Sequence, residues 1–159
     1  MTRAWVFVIA GGLGTAASLG LLLSLGDAAP ACDINPVVTC AATVDNVLNT
    51  AIGLIAFPVV ATLGVLMLSG VEPLPKLVWR GLRAGVIAGA VFTHVLIFLS
   101  LYDLRALCPY CMIIWICVVA IACHTFLPRF PWRALTVWLL AVIALAAQAF
   151  WTQWWLLLS

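Results

Sequence analysis

At 159 residues, 67% hydrophobic and 8% charged, the chain has too few polar side chains to clothe a soluble domain, in which about a quarter of residues are charged. Its net charge of +2 comes from a handful of basic residues at the ends of apolar stretches, and gives no indication of a nucleic-acid partner. The composition leaves an all-α integral membrane protein with short loops and no room for a soluble module.

Five apolar stretches each reach about the 20 residues that cross a hydrocarbon core. The first, 4–26, resembles a signal peptide only loosely, through Ala29-Pro30-Ala31 ahead of Cys32. Signal h-regions run about 7–15 residues, so a retained first helix is expected. It carries Gly12-Ala16-Gly20 at four-residue spacing, a stripe that lets helices approach closely in lipid.

The loop 27–46 holds Cys32 and Cys40, together with Asp27, Pro30, Asp33, Asn35 and Pro36, and no basic residue. Val37-Val38 is apolar enough to touch a membrane surface. A loop of this kind can carry a cysteine pair between water and the membrane. The second stretch, 47–69, begins with Asn49 near its first turn. Lys76, Arg80 and Arg83 precede the third, 84–102, whose approach carries a second small-residue stripe, Gly81-Gly85-Gly89. His94 lies inside this span. An ionisable group there is a functional candidate, and a neutral ring hydrogen-bonded to another helix is the plainer account.

Next comes Cys108-Pro109-Tyr110-Cys111, at the start of the fourth stretch, 109–127. Free backbone N–H groups and the helix dipole favour an anion at a helix start, which lowers a thiol pKa and makes thiolate available for exchange. Pro109 suits the first helical position, where its missing N–H costs nothing. Cys117 and Cys123 lie about 9 and 18 Å below Cys111 at 1.5 Å per residue, and read as small buried hydrophobes. His124, near the far edge, reads as a snorkelling side chain. Arg129 and Arg133 lead into the last stretch, 134–157.

Six of the seven basic residues flank one side of these spans, and Arg105 alone lies on the other. The positive-inside rule then puts the amino terminus in the cytoplasm and both cysteine pairs outside. Tyr102, Tyr110, Trp151, Trp154 and Trp155 mark the outer edge; Trp5, Trp79 and Trp132 mark the inner one. Four thiols at one face admit structural disulfides, a zinc site or redox exchange. A Cys-x-x-Cys ring is a poor staple, and the seven-residue spacing of the first pair is unlike a zinc site, so exchange is the expectation. Three disulfide connectivities remain open.

Cys32-Asp33, Cys40, Asn49 ahead of Gly53, and Tyr102-Asp103 leading into Cys108-Pro109-Tyr110-Cys111 together resemble the vitamin K epoxide reductase family, in the manner of its bacterial members. The resemblance covers about residues 1–127. It implies a four-helix catalytic bundle around a quinone over 1–127, with 128–159 adding a cytoplasmic loop and a fifth transmembrane helix. It implies quinone-coupled thiol oxidation in the inner membrane for a DsbA-like or thioredoxin-like partner, with the type of quinone open. By the same resemblance Cys111 faces the quinone as its thiolate, Cys108 exchanges with Cys40, and Cys32 takes electrons from the partner. Asn49 matches the position that hydrogen-bonds a quinone carbonyl, with a helix cap as its alternative role. Trp115 stands where the vertebrate enzymes carry a pocket tyrosine, and is expected to wall the quinone. A thiol-driven quinone or quinone-epoxide reductase, and a non-enzymatic subunit or transporter with structural disulfides, are the competing readings.

Overall fold

The computed structural model describes residues 2–24, 38–39, 46–71 and 74–151. Five helices account for nearly all of them: α1 (Thr2–Ser24), α2 (Asn46–Leu68), α3 (Lys76–Phe98), α4 (Pro109–Phe126) and α5 (Pro131–Ala149). All five are long and apolar enough to span a membrane. Their outward faces carry Ile9, Leu13, Ile55, Ile87, Val91, Val137 and Leu140 exposed, which suits lipid as solvent. Helices also satisfy their own backbone polar groups, the condition for crossing a bilayer.

The expected third span began at 84, and α3 begins eight residues earlier, at Lys76. Lys76, Arg80 and Arg83 therefore occupy its first two turns. Their long stems can lie along apolar surface while the charges reach water, so charge there does not end the helix. At the other boundary, α2 stops at Gly70, whose φ of 81° is the left-handed conformation of a helix-ending glycine. Val71 N–H donates to Leu66 O at 3.1 Å, closing a Schellman-type cap.

The most extensive packing is α1 against α2, followed by α1 against α4. The α1–α2 contact is antiparallel and very close. A Cβ at Gly11 would stand 2.7 Å from the Ala61 backbone N, one at Gly64 would stand 2.8 Å from Val8 N, and one at Gly53 would overlap Ser18 Oγ. The sequence stripe fell one position off this seam: a Cβ on Gly12 would meet nothing within 4 Å. By contrast α2 and α3 scarcely touch, so the bundle is open along their shared seam, with α4 behind it. The central core joins Phe7, Ala10, Ala17, Phe57, Leu82, Val86, Ile114, Cys117 and Ile121. Cys117 and Cys123 are buried among apolar neighbours, as small hydrophobes.

The two ends of the bundle differ in kind. One carries Cys108 and Cys111 at the start of α4. The other carries Arg3, the first turns of α3, and the α4–α5 turn with Arg129 and Arg133.

Candidate functional site

The approach to α4 is built to present the dithiol. After Phe98, α3 widens into a π-helical turn, Leu99–Asp103, with Leu104 N–H donating to Leu99 O at 2.9 Å. Turns of this type recur at functional sites. Arg105 then takes φ of 49°, a left-handed conformation that costs a non-glycine residue about 1 kcal/mol. Leu107 pairs with Val38 in an isolated parallel β-bridge, and Thr39 N–H donates to Leu107 O at 3.1 Å. The described part of the loop between α1 and α2 is therefore tied to the residue immediately before Cys108. Cys40 follows Thr39 directly; it and Cys32 lie outside the described residues, as do Trp154 and Trp155.

Cys108 occupies the N-cap of α4, with φ −98° and ψ 123°, and Pro109 takes the first helical position. Cys108 is 3% exposed and Cys111 5%. The Cys108 thiol is lowered from its ordinary value to about 7. The Cys111 thiol donating to it is the largest cause, and the backbone N–H groups of Cys111 and Tyr110 add to it, against burial, which opposes. The backbone N–H groups are the helix-start contribution, and the neighbouring Cys111 thiol is the larger one.

Both cysteines sit in one apolar cluster with Leu21 of α1, Ile97 and Leu101 at the end of α3, Trp115 one turn along α4, and Phe150 after α5. Trp138, Val142, Ala146 and Ala149 of α5 pack on its outside. The fifth helix is thus the lid over one side of the dithiol. It is fastened to α3 by a hydrogen bond from Trp138 Nε1–H to His94 Nε2 at 3.0 Å. An indole nitrogen only donates, so His94 Nε2 accepts and its Nδ1–H donates to Ala90 O at 2.7 Å. His94 is a neutral ring joining two helices, the plainer of its two expected roles.

On the other side of α4, the open α2–α3 seam forms a cavity of about 430 Å³. Its walls are apolar apart from Asn49 near the cysteine end and Thr93 on α3. Asn49 is 8% exposed. Gly81, Gly85 and Gly89 line the cavity, and Cβ atoms on Gly81 or Gly85 would meet nothing within 4 Å. That stripe was expected to seat a neighbouring helix; instead it hollows the wall. Ile114, Val118 and Ile121 of α4 form the floor. At 100° per residue these three lie within about 60° of one another, displaced to one side of Cys111, which sits in the cluster on the α5 side with Trp115.

Of the expected quinone contacts, the structure brings Asn49 to this cavity, while Cys111 lies in the cluster toward α5 and not among the lining residues. Trp115 is not among its lining residues: at four residues from Cys111 it turns toward α5 rather than the seam, buried beside the dithiol. Its Nε1 has no partner among the described residues. His124 does not snorkel. It is 3% exposed, because Ala120 O takes its Nδ1–H at 2.9 Å and Trp132 stands edge-on to its ring at 4.8 Å.

A bundle of membrane-spanning helices with a helix-capping dithiol beside an apolar side cavity defines a multi-pass membrane protein equipped for thiol redox chemistry. Residues 5–126 match the vitamin K epoxide reductase family, and the chain belongs to it. No curated protein and no solved structure shows a significant match to the chain. Membership makes it an oxidoreductase of the thiol-dependent, quinone-linked kind, which sets aside the reading as a non-enzymatic subunit or transporter.

Proposed function

We propose that the protein is a quinone-dependent thiol oxidase. It takes electrons from a DsbA-like or thioredoxin-like dithiol protein and passes them from Cys32/Cys40 to Cys108/Cys111 and on to quinone. The observation that carries this reading is the Val38–Leu107 bridge. It holds Thr39, the residue before Cys40, against the residue before Cys108. Exchange between Cys40 and Cys108 is then a local event.

In the relay, the Cys40 thiolate attacks Sγ of Cys108 in the Cys108–Cys111 disulfide, and Cys111 leaves as a thiolate. Cys32 then attacks Sγ of Cys40. The Cys32–Cys40 disulfide forms and Cys108 departs as a thiolate, which the backbone N–H groups of Cys111 and Tyr110 help to hold. Two electrons have moved inward, and the Cys32–Cys40 disulfide is passed out to the partner protein by the same exchange. The reduced Cys108/Cys111 pair closes again to a disulfide as it gives up two electrons and two protons. Quinone, when bound, supplies the two-electron sink and becomes hydroquinone.

The residues present fit such a group. The cavity has apolar walls for a ring and its tail, and Asn49 offers an amide for one carbonyl near the end of the bundle where α4 starts. Trp115 closes the dithiol from the α5 side. Residues 1–127 are the catalytic unit in this reading, and 128–159 the accessory loop and helix that cover it.

A hydrogen bond that strengthens as a carbonyl gains negative charge favours the reduced state over the ground state. Asn49→Ala should therefore slow quinone reduction about 10-fold, or about 1.4 kcal/mol. Dithiol exchange with the partner protein should be unchanged, because the cysteines are untouched. Quinone reduction at the parental rate would reduce Asn49 to a backbone-capping residue.

The proposed location is the inner membrane, with the amino terminus cytoplasmic and both cysteine pairs extracytoplasmic. After reduction, a membrane-impermeant maleimide applied to intact spheroplasts should label Cys32 and Cys40. Labelling that requires the membrane to be opened would invert the topology.

A further inference from the structure

A second cavity, of about 360 Å³, lies at the opposite end of the bundle, lined by Thr2, Arg3, His124, Pro128, Pro131 and Trp132. It sits between the first turn of α1 and the α4–α5 turn. From Cys111 to His124 along α4 is about 20 Å at 1.5 Å per residue, so this cavity is separate from the dithiol and the quinone seam.

His124 makes it unusual. The ring is 3% exposed and its Nδ1 lies 2.9 Å from Ala120 O. A carbonyl only accepts, so Nδ1 carries the hydrogen and Nε2 is the ring atom left to meet a ligand. Nε2 is buried with no partner among the described residues. A buried polar atom left unmet is unfavourable, and a hydroxyl, which both donates and accepts, is a partner suited to it.

The surroundings specify the rest of the ligand. Arg3 stands on the cavity wall, its guanidinium 5.5 Å from the Trp79 ring centroid. Thr2 opens α1, whose first-turn N–H groups and dipole favour an anion. Lys76, Arg80, Arg83, Arg129 and Arg133 share this end, where the α2–α3 connection also carries Glu72, outside the described residues; Asp103 is at the other end. Trp132, edge-on to His124 at 4.8 Å and 54% exposed, forms the wall of the cavity beside the ring.

We propose that this cavity binds a phosphate group with an adjoining hydroxyl. Its anionic oxygens meet Arg3 and the start of α1, and its hydroxyl donates to His124 Nε2. A glycerol-headed anionic phospholipid carries this chemistry at the depth of the cavity, and soluble hydrogen phosphate carries it too.

The test uses the purified full chain in detergent, titrated with dioleoylphosphatidylglycerol or dioleoylphosphatidylcholine. Binding is read from lipid adducts in native mass spectrometry and from thermal unfolding. Phosphatidylglycerol should bind about 10-fold or more tightly than phosphatidylcholine, and Arg3→Gln should remove most of that preference, as expected for a lost charge-assisted hydrogen bond. His124→Phe should weaken binding as well, and if that variant fails to fold, Arg3→Gln carries the test alone. Arg133→Gln, at the same end but outside the cavity, should leave binding within about twofold, as a screened surface charge does. Sodium phosphate that displaces the lipid assigns the site to free phosphate also; phosphate without effect assigns it to the headgroup. Equal binding of the two lipids, or equal losses in Arg3→Gln and Arg133→Gln, would overturn the proposal in favour of diffuse surface charge.

Discussion

Replacing either Cys108 or Cys111 by Ala should lower quinone-coupled thiol oxidation by at least about a thousandfold, because each sulfur forms a bond that the other cannot form alone. The two variants should nevertheless differ. In Cys108→Ala the remaining Cys111 has no internal partner and stays beside the quinone, so a long-wavelength charge-transfer absorbance should appear when quinone is added. In Cys111→Ala the remaining Cys108 is left at the N-cap, next to the residue bridged to Val38. It should accumulate as a mixed disulfide with Cys40, and the absorbance should be missing. An absorbance in Cys111→Ala and none in Cys108→Ala would exchange the two assignments.

The second large effect is expected at Gly85. Its Cβ would meet nothing within 4 Å and would point into the α2–α3 cavity. Gly85→Trp should fill that space with apolar volume, leaving thermal stability equal or raised, since an empty apolar cavity is itself unfavourable and glycine is a poor helix former. Quinone should be excluded, with KM raised about 10-fold or more, roughly 1.4 kcal/mol of lost binding. Gly64→Ala supplies the contrast, because Gly64 does not line the cavity and its Cβ would stand 2.8 Å from Val8 N at the α1–α2 contact. It should lower the unfolding temperature, with overpacking of about 1–3 kcal/mol. Unchanged quinone kinetics in a folded Gly85→Trp variant would move the ring to the Trp115 side of α4.

Much of this was legible in the sequence for definite physical reasons. Span number follows from apolar length, which the bilayer enforces. Pro109 and the helix start pointed to the N-cap position of Cys108. The direction of individual faces was less legible. A stripe of glycines says that side chains are absent, and only the neighbouring element decides whether a helix or a cavity takes the space. Gly81-Gly85-Gly89 faces a gap because α2 commits its small residues Gly53 and Gly64 to α1 instead. Trp115 illustrates the same limit. Spacing of four from Cys111 correctly predicts contact with the dithiol, yet Ile114, one residue earlier, is the one on the cavity side. Counting Ile114, Val118 and Ile121 as one face would have found the cavity floor. The bridge from Val38 to Leu107 had no sequence signal beyond two apolar residues, since a single pairing lacks any periodicity.

The central claim is that thiol electrons pass through the two cysteine pairs to quinone. It is tested most directly by mixing purified protein anaerobically with a reduced DsbA-like protein and a short-tailed quinone, following quinone absorbance and partner disulfide together. One hydroquinone should form for each partner disulfide, and both should stop in Cys108→Ala. Quinone consumed without partner disulfide, or partner disulfide formed at the same rate without quinone, would contradict the account.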